Sequence, residues 1–132
     1  MKSRLLVLFA ACFGASGVGL GAFASHGLKA VLAPNLLAVF EVGVRYQLIH
    51  TLALLACGVM VMLASHQAVQ KYFYRAGICF IIGIFCFSGS LYALALTGVK
   101  WFGPVTPLGG VCFILGWVLM FVAAWNMNEV NQ

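Results

Sequence analysis

The chain contains 132 residues, of which 64% are hydrophobic and only 7% are charged. Soluble domains are about 45–50% apolar and about 25% charged, whereas disordered chains combine low hydrophobicity with high charge. This composition excludes both classes and is typical of an integral membrane protein. Because one helical span takes about 20 residues, the length allows at most about four or five spans.

The formal net charge of +5 does not indicate a nucleic-acid-binding protein. The basic residues are scattered singly or in pairs, without a run or stripe that could follow a phosphate backbone. We therefore predict no nucleic-acid partner. The five cysteines each lie in an apolar segment and no C-x-x-C motif is present, so we interpret them as small packing residues.

Four apolar segments predict four transmembrane helices within a single membrane domain over residues 1–132. The predicted spans are at about 5–25, 46–64, 76–97 and 107–125. Gly27 and Gly98 follow the first and third spans, where a left-handed residue often ends a helix. Thr106 and Pro107 are predicted as the N-cap and the first residue of the fourth span.

The first span also resembles a secretory signal, because Lys2 and Arg4 precede it and Ala22-Phe23-Ala24 resembles a cleavage site. Its apolar stretch of about 20 residues is longer than the usual hydrophobic region of a signal peptide. We therefore expect this segment to remain in the protein as a membrane span.

Residues 28–45 are unusual for a loop, because only Lys29, Glu41 and Arg45 among them are charged. Pro34 is typical of the first residue of a helix. One face of that helix would carry apolar residues at spacings of three and four: Leu36, Leu37, Phe40 and Val44. The predicted fold is an all-α, four-helix transmembrane bundle with a short interfacial amphipathic helix between spans 1 and 2, unless this helix runs directly into span 2.

Every predicted span carries small residues at steps of three and four, and such residues let helices approach closely in a bilayer. This pattern predicts a tightly packed bundle with little room for a wide aqueous pore. The residues that we assign to helix packing are Gly14, Gly17, Gly21, Gly83, Ser90, Gly109 and Gly116.

Polar residues within or beside the spans concentrate at the membrane face opposite the termini. Ionisable groups inside a span are costly, so these residues form the candidate site: His26, Glu41, Arg45, Tyr46, Gln47 and His50. Two interpretations stay open. The side chains satisfy one another at helix ends, or they form a small polar site that relays protons or binds a ligand. The candidate partners for His50 are His26, Tyr92 and Thr97.

The sequence predicts neither a cofactor nor an enzyme. A metal site needs three or four convergent ligands, and only His26, His50 and Glu41 are available, so we expect no metal and no haem. No nucleophile with a base, phosphate-binding loop or carboxylate pair occurs. Ser88 and Ser90 are predicted to donate hydrogen bonds to carbonyls of their own helix.

Four motifs occur in order along nearly the whole chain. They are GAFASHG at 21–27, YQLIHT at 46–51, FSGSLY at 87–92, and TPLGG at 106–110 followed by Gly116-Trp117. Together they resemble the YgdD-like family of small bacterial inner-membrane proteins. Ala24-Ser25 stands where that family more often has Gly-Ala, which exchanges small residues for small ones. The resemblance implies a four-span inner-membrane protein with no assigned reaction and no catalytic residues.

Two functions are compatible with the sequence. The first is a non-enzymatic membrane protein that binds a membrane lipid, a second copy of itself or another membrane protein through its intramembrane surfaces. The second is a subunit that moves a small solute or a proton past His26 and His50. Spans 2 and 4 offer almost no polar residue toward the other face, which favours the first.

The orientation in the membrane follows from the basic residues beside the spans. The side that carries the termini has four of them, Lys2, Arg4, Lys71 and Arg75, against three on the other side. Because cytoplasmic segments carry the excess of Lys and Arg, we predict that both termini are cytoplasmic.

Overall fold

The four predicted spans are confirmed in the computed structural model, which describes residues 1–129. Its membrane-capable helical stretches are Lys2–Ala30, Pro34–Leu63, Gln67–Thr97 and Lys100–Met127. The α-helices are α1 (Lys2–His26), α2 (Pro34–Leu63), α3 (Gln67–Gly83), α4 (Gly89–Thr97) and α5 (Val105–Glu129). A π-helical turn, Ile84–Ser88, joins α3 and α4 into the third span, and short 3-10 turns occur at Leu28–Ala30 and Lys100–Phe102. The described residues contain no strand.

The predicted separate interfacial helix is not confirmed, because residues 34–45 form the beginning of α2. Pro34 is at the start of this helix as expected, and no proline follows before Leu63. The apolar face of the segment packs inside the protein, where Phe40 and Val44 form a buried cluster with Ala24 and Ala95. At 30 residues α2 is about 45 Å long, so it extends beyond the roughly 30 Å hydrocarbon core.

The second and third spans form the centre of the fold, and the first and fourth lie outside them. In their most apolar stretches 44% and 39% of the central spans' residues are buried, against 22% for each outer span. Helix α1 packs mainly on α2, and α5 packs mainly on α3 and the π-helical turn. The outer helices therefore present most of their apolar surface to lipid.

Glycines allow the closest approaches between spans. A methyl group at Gly17 would lie 2.6 Å from Leu48 Cδ2, and one at Gly116 would lie 2.5 Å from the ring of Phe80. At Gly83 it would meet the ring of Phe113. These positions tolerate no side chain unless the neighbouring ring or leucine moves.

The remaining assigned packing residues differ in how closely they are approached. A methyl group at Gly109 would collide with the backbone of Phe87. Gly14 and Gly21 are looser, since the nearest atoms would be 3.7 and 3.4 Å from the added carbon. Three further close approaches have no counterpart in the sequence-based assignment: Gly43, Gly58 and Gly77.

The predicted helix ends are only partly correct. Gly98 has φ +69°, so the left-handed end of the third span is confirmed. Gly27 was expected to do the same, but its φ of −75° is right-handed because the chain continues into the turn at Leu28–Ala30. Helix α5 begins at Val105, so Thr106 is not its N-cap and Pro107 is its third residue rather than its first. The Thr106 hydroxyl instead lies 2.6 Å from Ser90 Oγ.

Both ends of the described chain lie on the same side of the bundle. Lys2 lines a cavity together with Gln67 and Lys71 at the beginning of α3. Met127 lies beside His66 in the loop that precedes α3. This is the arrangement expected when the chain crosses a membrane an even number of times.

Candidate functional site

Gln47 of α2 is the centre of a hydrogen-bonded network that joins three spans. Its side chain is 3% exposed, and its amide nitrogen donates to Phe13 O and to Ser16 Oγ of α1, both at 2.9 Å. Tyr92 of α4 donates from its hydroxyl to Gln47 Oε1 at 2.7 Å. Because a carbonyl only accepts, Phe13 O determines the orientation of the amide. Both amide hydrogens and the amide oxygen are thus used within the protein.

A second contact between α2 and the third span lies one turn away, at Gly43. Ser88, which is fully buried, donates from Oγ to Gly43 O at 2.7 Å. The ring of Tyr92 lies against the same glycine, since an added methyl group would be 2.7 Å from Cε1. The absence of a side chain at Gly43 therefore lets both Ser88 and Tyr92 reach α2.

The prediction for the two serines of the third span is half correct. Ser90 donates to Phe87 O of its own helix at 2.9 Å, as expected. The prediction for Ser88 is wrong, because its hydroxyl bonds to α2. Ser88 lies in the π-helical turn, where wider helical winding changes the faces that side chains present.

His50 of α2 is 5% exposed and is hydrogen-bonded at both ring nitrogens. Nδ1 lies 2.8 Å from Tyr46 O, and Trp117 Nε1 of α5 lies 3.2 Å from Nε2. A carbonyl oxygen can only accept, so Nδ1 carries a hydrogen; an indole N–H can only donate, so Nε2 does not. These partners are those of a neutral imidazole with its proton on Nδ1.

Aromatic rings enclose the His50 imidazole. The ring of Phe113 is stacked on it, with centroids 3.6 Å apart and an interplanar angle of 8°. Tyr46 stacks at 5.9 Å, Phe80 is tilted at 5.7 Å, and Trp117 meets the ring edge at 6.1 Å. A second proton on Nε2 would face the Trp117 N–H, so this environment is suited to the neutral ring.

The structure divides the predicted site into an inner and an outer group. Gln47 and His50 are buried and hydrogen-bonded, and Tyr46 contributes its carbonyl and its ring. The other three predicted site residues, all of which are exposed, are His26, Glu41 and Arg45. Within residues 1–129 Glu41 and Arg45 do not form an ion pair.

The predicted partners of His50 are wrong. His26 is exposed at the end of α1, Tyr92 donates to Gln47, and Thr97 donates to Ala93 O of its own helix at 2.6 Å. The actual partner is Trp117 of α5, which the sequence presents only as part of a family motif. Trp117 is 46% exposed, but its indole N–H lies at membrane depth, where it needs an acceptor, and this need is the signal that the sequence offers.

The described residues contain no group of three or more His, Cys, Asp or Glu side chains that could hold a metal ion. The buried side chains of Gln47, His50 and Ser88 instead form hydrogen bonds with other groups of the protein, several of them on neighbouring helices. Chemically, the arrangement joins helices and stabilises their relative positions.

One buried polar atom is an exception to this pairing. Thr51 of α2 is 6% exposed, and its hydroxyl has no hydrogen-bond partner among the described residues. An unsatisfied buried hydroxyl costs about 1–3 kcal/mol. We expect Thr51→Val to raise stability by about 1 kcal/mol, measured as a higher melting temperature in detergent.

Thr97→Val is the matched control, because the Thr97 hydroxyl donates to Ala93 O and accepts from Val99 N. This variant should melt at the wild-type temperature or below it. A lower melting temperature for Thr51→Val than for Thr97→Val would show that the Thr51 hydroxyl has a stabilising partner.

The lipid-facing side of α1 carries a groove that the sequence did not predict. This α1 groove has a volume of about 400 Å³ and is lined by Leu5, Leu8, Phe9, Cys12, Phe13, Ser16 and Phe85. Phe85 comes from the π-helical turn and meets Phe13 edge to face, with ring centroids 5.3 Å apart. The groove therefore lies between the first and third spans and is almost entirely apolar.

A family model described as a protein of unknown function, DUF423, matches residues 20–110. The chain belongs to the DUF423 family. The matched segment includes Gln47, His50 and Ser88 but ends before Trp117. The predicted resemblance is confirmed by whole-chain relatives. UPF0382 inner membrane protein YgdD of Escherichia coli K12 is 40% identical over 129 residues, 98% of this chain and 95% of that protein.

Other relatives come from Staphylococcus. UPF0382 membrane protein SAB0533 of Staphylococcus aureus is 39% identical over 123 residues, covering 93% of this chain and 97% of that protein. Membrane protein SH2409 of Staphylococcus haemolyticus is 36% identical over the same length. No solved structure matches the chain. This chain is therefore a multi-pass inner-membrane protein of a family whose names state no reaction.

Proposed function

We propose that this DUF423 protein is a non-enzymatic membrane protein that binds a membrane lipid in the α1 groove. The observation that carries the proposal is the groove itself, an apolar depression of about 400 Å³ on the lipid-facing surface. Its walls come from two different spans, so an acyl chain would contact side chains of both. Ligand sites are typically concave and mainly apolar, and this groove has that character.

The polar interior supports binding at the surface over transport through the bundle. Gln47 has both amide hydrogens and its oxygen engaged, and His50 is bonded at both nitrogens. Movement of a solute or a proton past His26 and His50 would need these two residues on one path. His26 is exposed at the end of α1, whereas aromatic rings enclose His50.

The proposal is tested by measuring how much lipid remains bound to the protein after purification in a mild detergent. Cys12 lines the groove and is exposed, so Cys12→Trp would fill it. Ala11 is also exposed but does not line the groove, which makes Ala11→Trp the matched control. We expect native mass spectrometry to find bound lipid on wild type and Ala11→Trp, and much less on Cys12→Trp. Equal lipid on both variants would contradict the proposal.

The proposal includes an orientation with both termini in the cytoplasm. It rests on the excess of Lys and Arg beside the termini, a margin of four residues against three. We expect a C-terminal fluorescent reporter that matures only in the cytoplasm to be active, and alkaline phosphatase to be active in the loop at residues 98–104. Phosphatase activity at the C-terminus and not in the loop would show the opposite orientation.

A further inference from the structure

We infer, building on the proposed lipid-binding function, that the occupant of the α1 groove is an anionic phospholipid whose phosphate is bound by Lys2 and Arg4. The groove continues toward the terminal side into a second cavity of about 350 Å³. That cavity is lined by Met1, Lys2, Arg4, Leu5, Leu8 and Tyr74. Leu5 and Leu8 line both cavities, so the α1 groove and the basic cavity form one continuous surface.

The position of Lys2 extends the basic region toward the third span. Its ammonium nitrogen lies 5.4 Å from the centroid of the Tyr74 ring, within the range of a cation–π contact. Lys2 also lines a neighbouring cavity of about 570 Å³ with Gln67, Gln70 and Lys71. A phosphate at the end of the groove would therefore meet Lys2 and Arg4 of α1, while Lys71 of the third span lies in the neighbouring cavity.

No carboxylate neutralises this basic region within the described side chains. The only acidic side chain among residues 1–127 is Glu41, which lies near the beginning of α2 at the opposite membrane face. Lys2 and Arg4 are exposed, and neither forms an ion pair in the described part of the chain. An anionic headgroup would be attracted to these two exposed cations.

The length of the surface matches a lipid that occupies one leaflet. From Arg4 to Ser16 helix α1 rises about 18 Å, at about 1.5 Å per residue. Half of a roughly 30 Å hydrocarbon core is about 15 Å. An acyl chain that starts at the basic cavity would thus lie along the groove and end near the middle of the membrane.

A second copy of the chain fits this surface less well. In a symmetric dimer the same patch would face itself, which would bring Lys2 and Arg4 of both copies together. Like charges at such a contact oppose association. A phospholipid with a net negative charge combines the required headgroup with the required apolar length.

The test compares dioleoyl-phosphatidylglycerol with dioleoyl-phosphatidylcholine, which have identical acyl chains. Each lipid is titrated onto delipidated protein and the bound fraction is measured by native mass spectrometry. Wild type should prefer phosphatidylglycerol. The double variant that carries Lys2→Gln and Arg4→Gln should reduce that preference roughly 10- to 30-fold and leave phosphatidylcholine binding intact. High salt should weaken the wild-type preference in the same direction.

The control removes the same charge from the opposite face, as Lys29→Gln with Lys100→Gln, and should keep the wild-type preference. Both double variants alter exposed residues, and their melting temperatures verify folding. Two results would overturn the headgroup assignment alone. Wild type would bind the two lipids equally, or both double variants would lose the preference for phosphatidylglycerol to the same extent. If Cys12→Trp binds both lipids as wild type does, the groove itself, and with it the proposed function, fails. A dimer that Cys12→Trp dissociates would instead identify a second copy as the occupant.

Discussion

Gly109→Ala is expected to destabilise the protein by about 1–3 kcal/mol, which is the usual cost of overpacking a close contact. The added methyl group would collide with the backbone nitrogen and Cα of Phe87, in the π-helical turn of the third span. A backbone cannot rotate away as a side chain can, so α5 and the third span would have to separate.

Gly110→Ala provides the matched control at the next residue. Its added carbon would lie 3.9 Å from the Phe87 ring, which is an ordinary contact. Because alanine favours a helix over glycine by up to about 1 kcal/mol, this variant should be as stable as wild type or more so. Thermal melting of both variants in one detergent measures the difference. Equal melting temperatures for the two variants would show that α5 does not approach Phe87 as closely as described.

The second large effect is expected for His50→Ala. Loss of the imidazole leaves the Trp117 N–H without an acceptor, which costs about 1–3 kcal/mol. It also opens a cavity beside Phe113, which adds to this cost. His50→Gln keeps an acceptor and a donor, so it should retain more stability than His50→Ala. The exposed His26 makes His26→Ala the control, and we expect it to melt as wild type does.

The tautomer of His50 can be observed separately. With Nδ1 beside Tyr46 O and Nε2 accepting from Trp117, side-chain ¹⁵N spectra at neutral pH should show a hydrogen on Nδ1 only. Trp117→Phe should change the Nε2 resonance most. A ring with hydrogens on both nitrogens at neutral pH would contradict the structural role and revive proton transfer as a function.

The number of spans and several of their contacts could be predicted from sequence. Hydropathy and length reveal a span directly, and Gly98 indicates a left-handed helix end by its residue type. Glycines such as Gly17 and Gly109 stand out because small residues allow close approach in a bilayer. Gly43 and Gly77 were missed because they do not belong to an obvious repeat of small residues.

The pairing of polar groups across spans could not be predicted in the same way. Lipid and protein interior are both apolar, so hydrophobicity does not distinguish the buried face of α5 from its lipid-facing side. The direction of Trp117 toward His50 depends on the rotation of α5, which the sequence pattern leaves open. The π-helical turn has no clear sequence signal, and it determines the positions of Ser88 and Phe85.

The α1 groove could not be predicted either, because the sequence does not show how the spans are arranged around α1. It exists because α1 packs mainly on α2 and meets the third span only locally, at contacts such as Phe13 with Phe85. Such a gap depends on how three spans are arranged relative to one another. Once the arrangement is known, the continuity of the groove with the basic residues at its end becomes visible.

The most direct test of lipid binding at α1 is photo-crosslinking with a phosphatidylglycerol that carries a diazirine in its acyl chain. Helix α5 is the internal reference, because it exposes equally apolar side chains to lipid, among them Val111, Ile114 and Val118. We expect crosslinked peptides from residues 5–16 and from Phe85, and their loss in Cys12→Trp. Labelling spread evenly over α1 and α5, and unchanged in Cys12→Trp, would contradict a lipid site in the α1 groove.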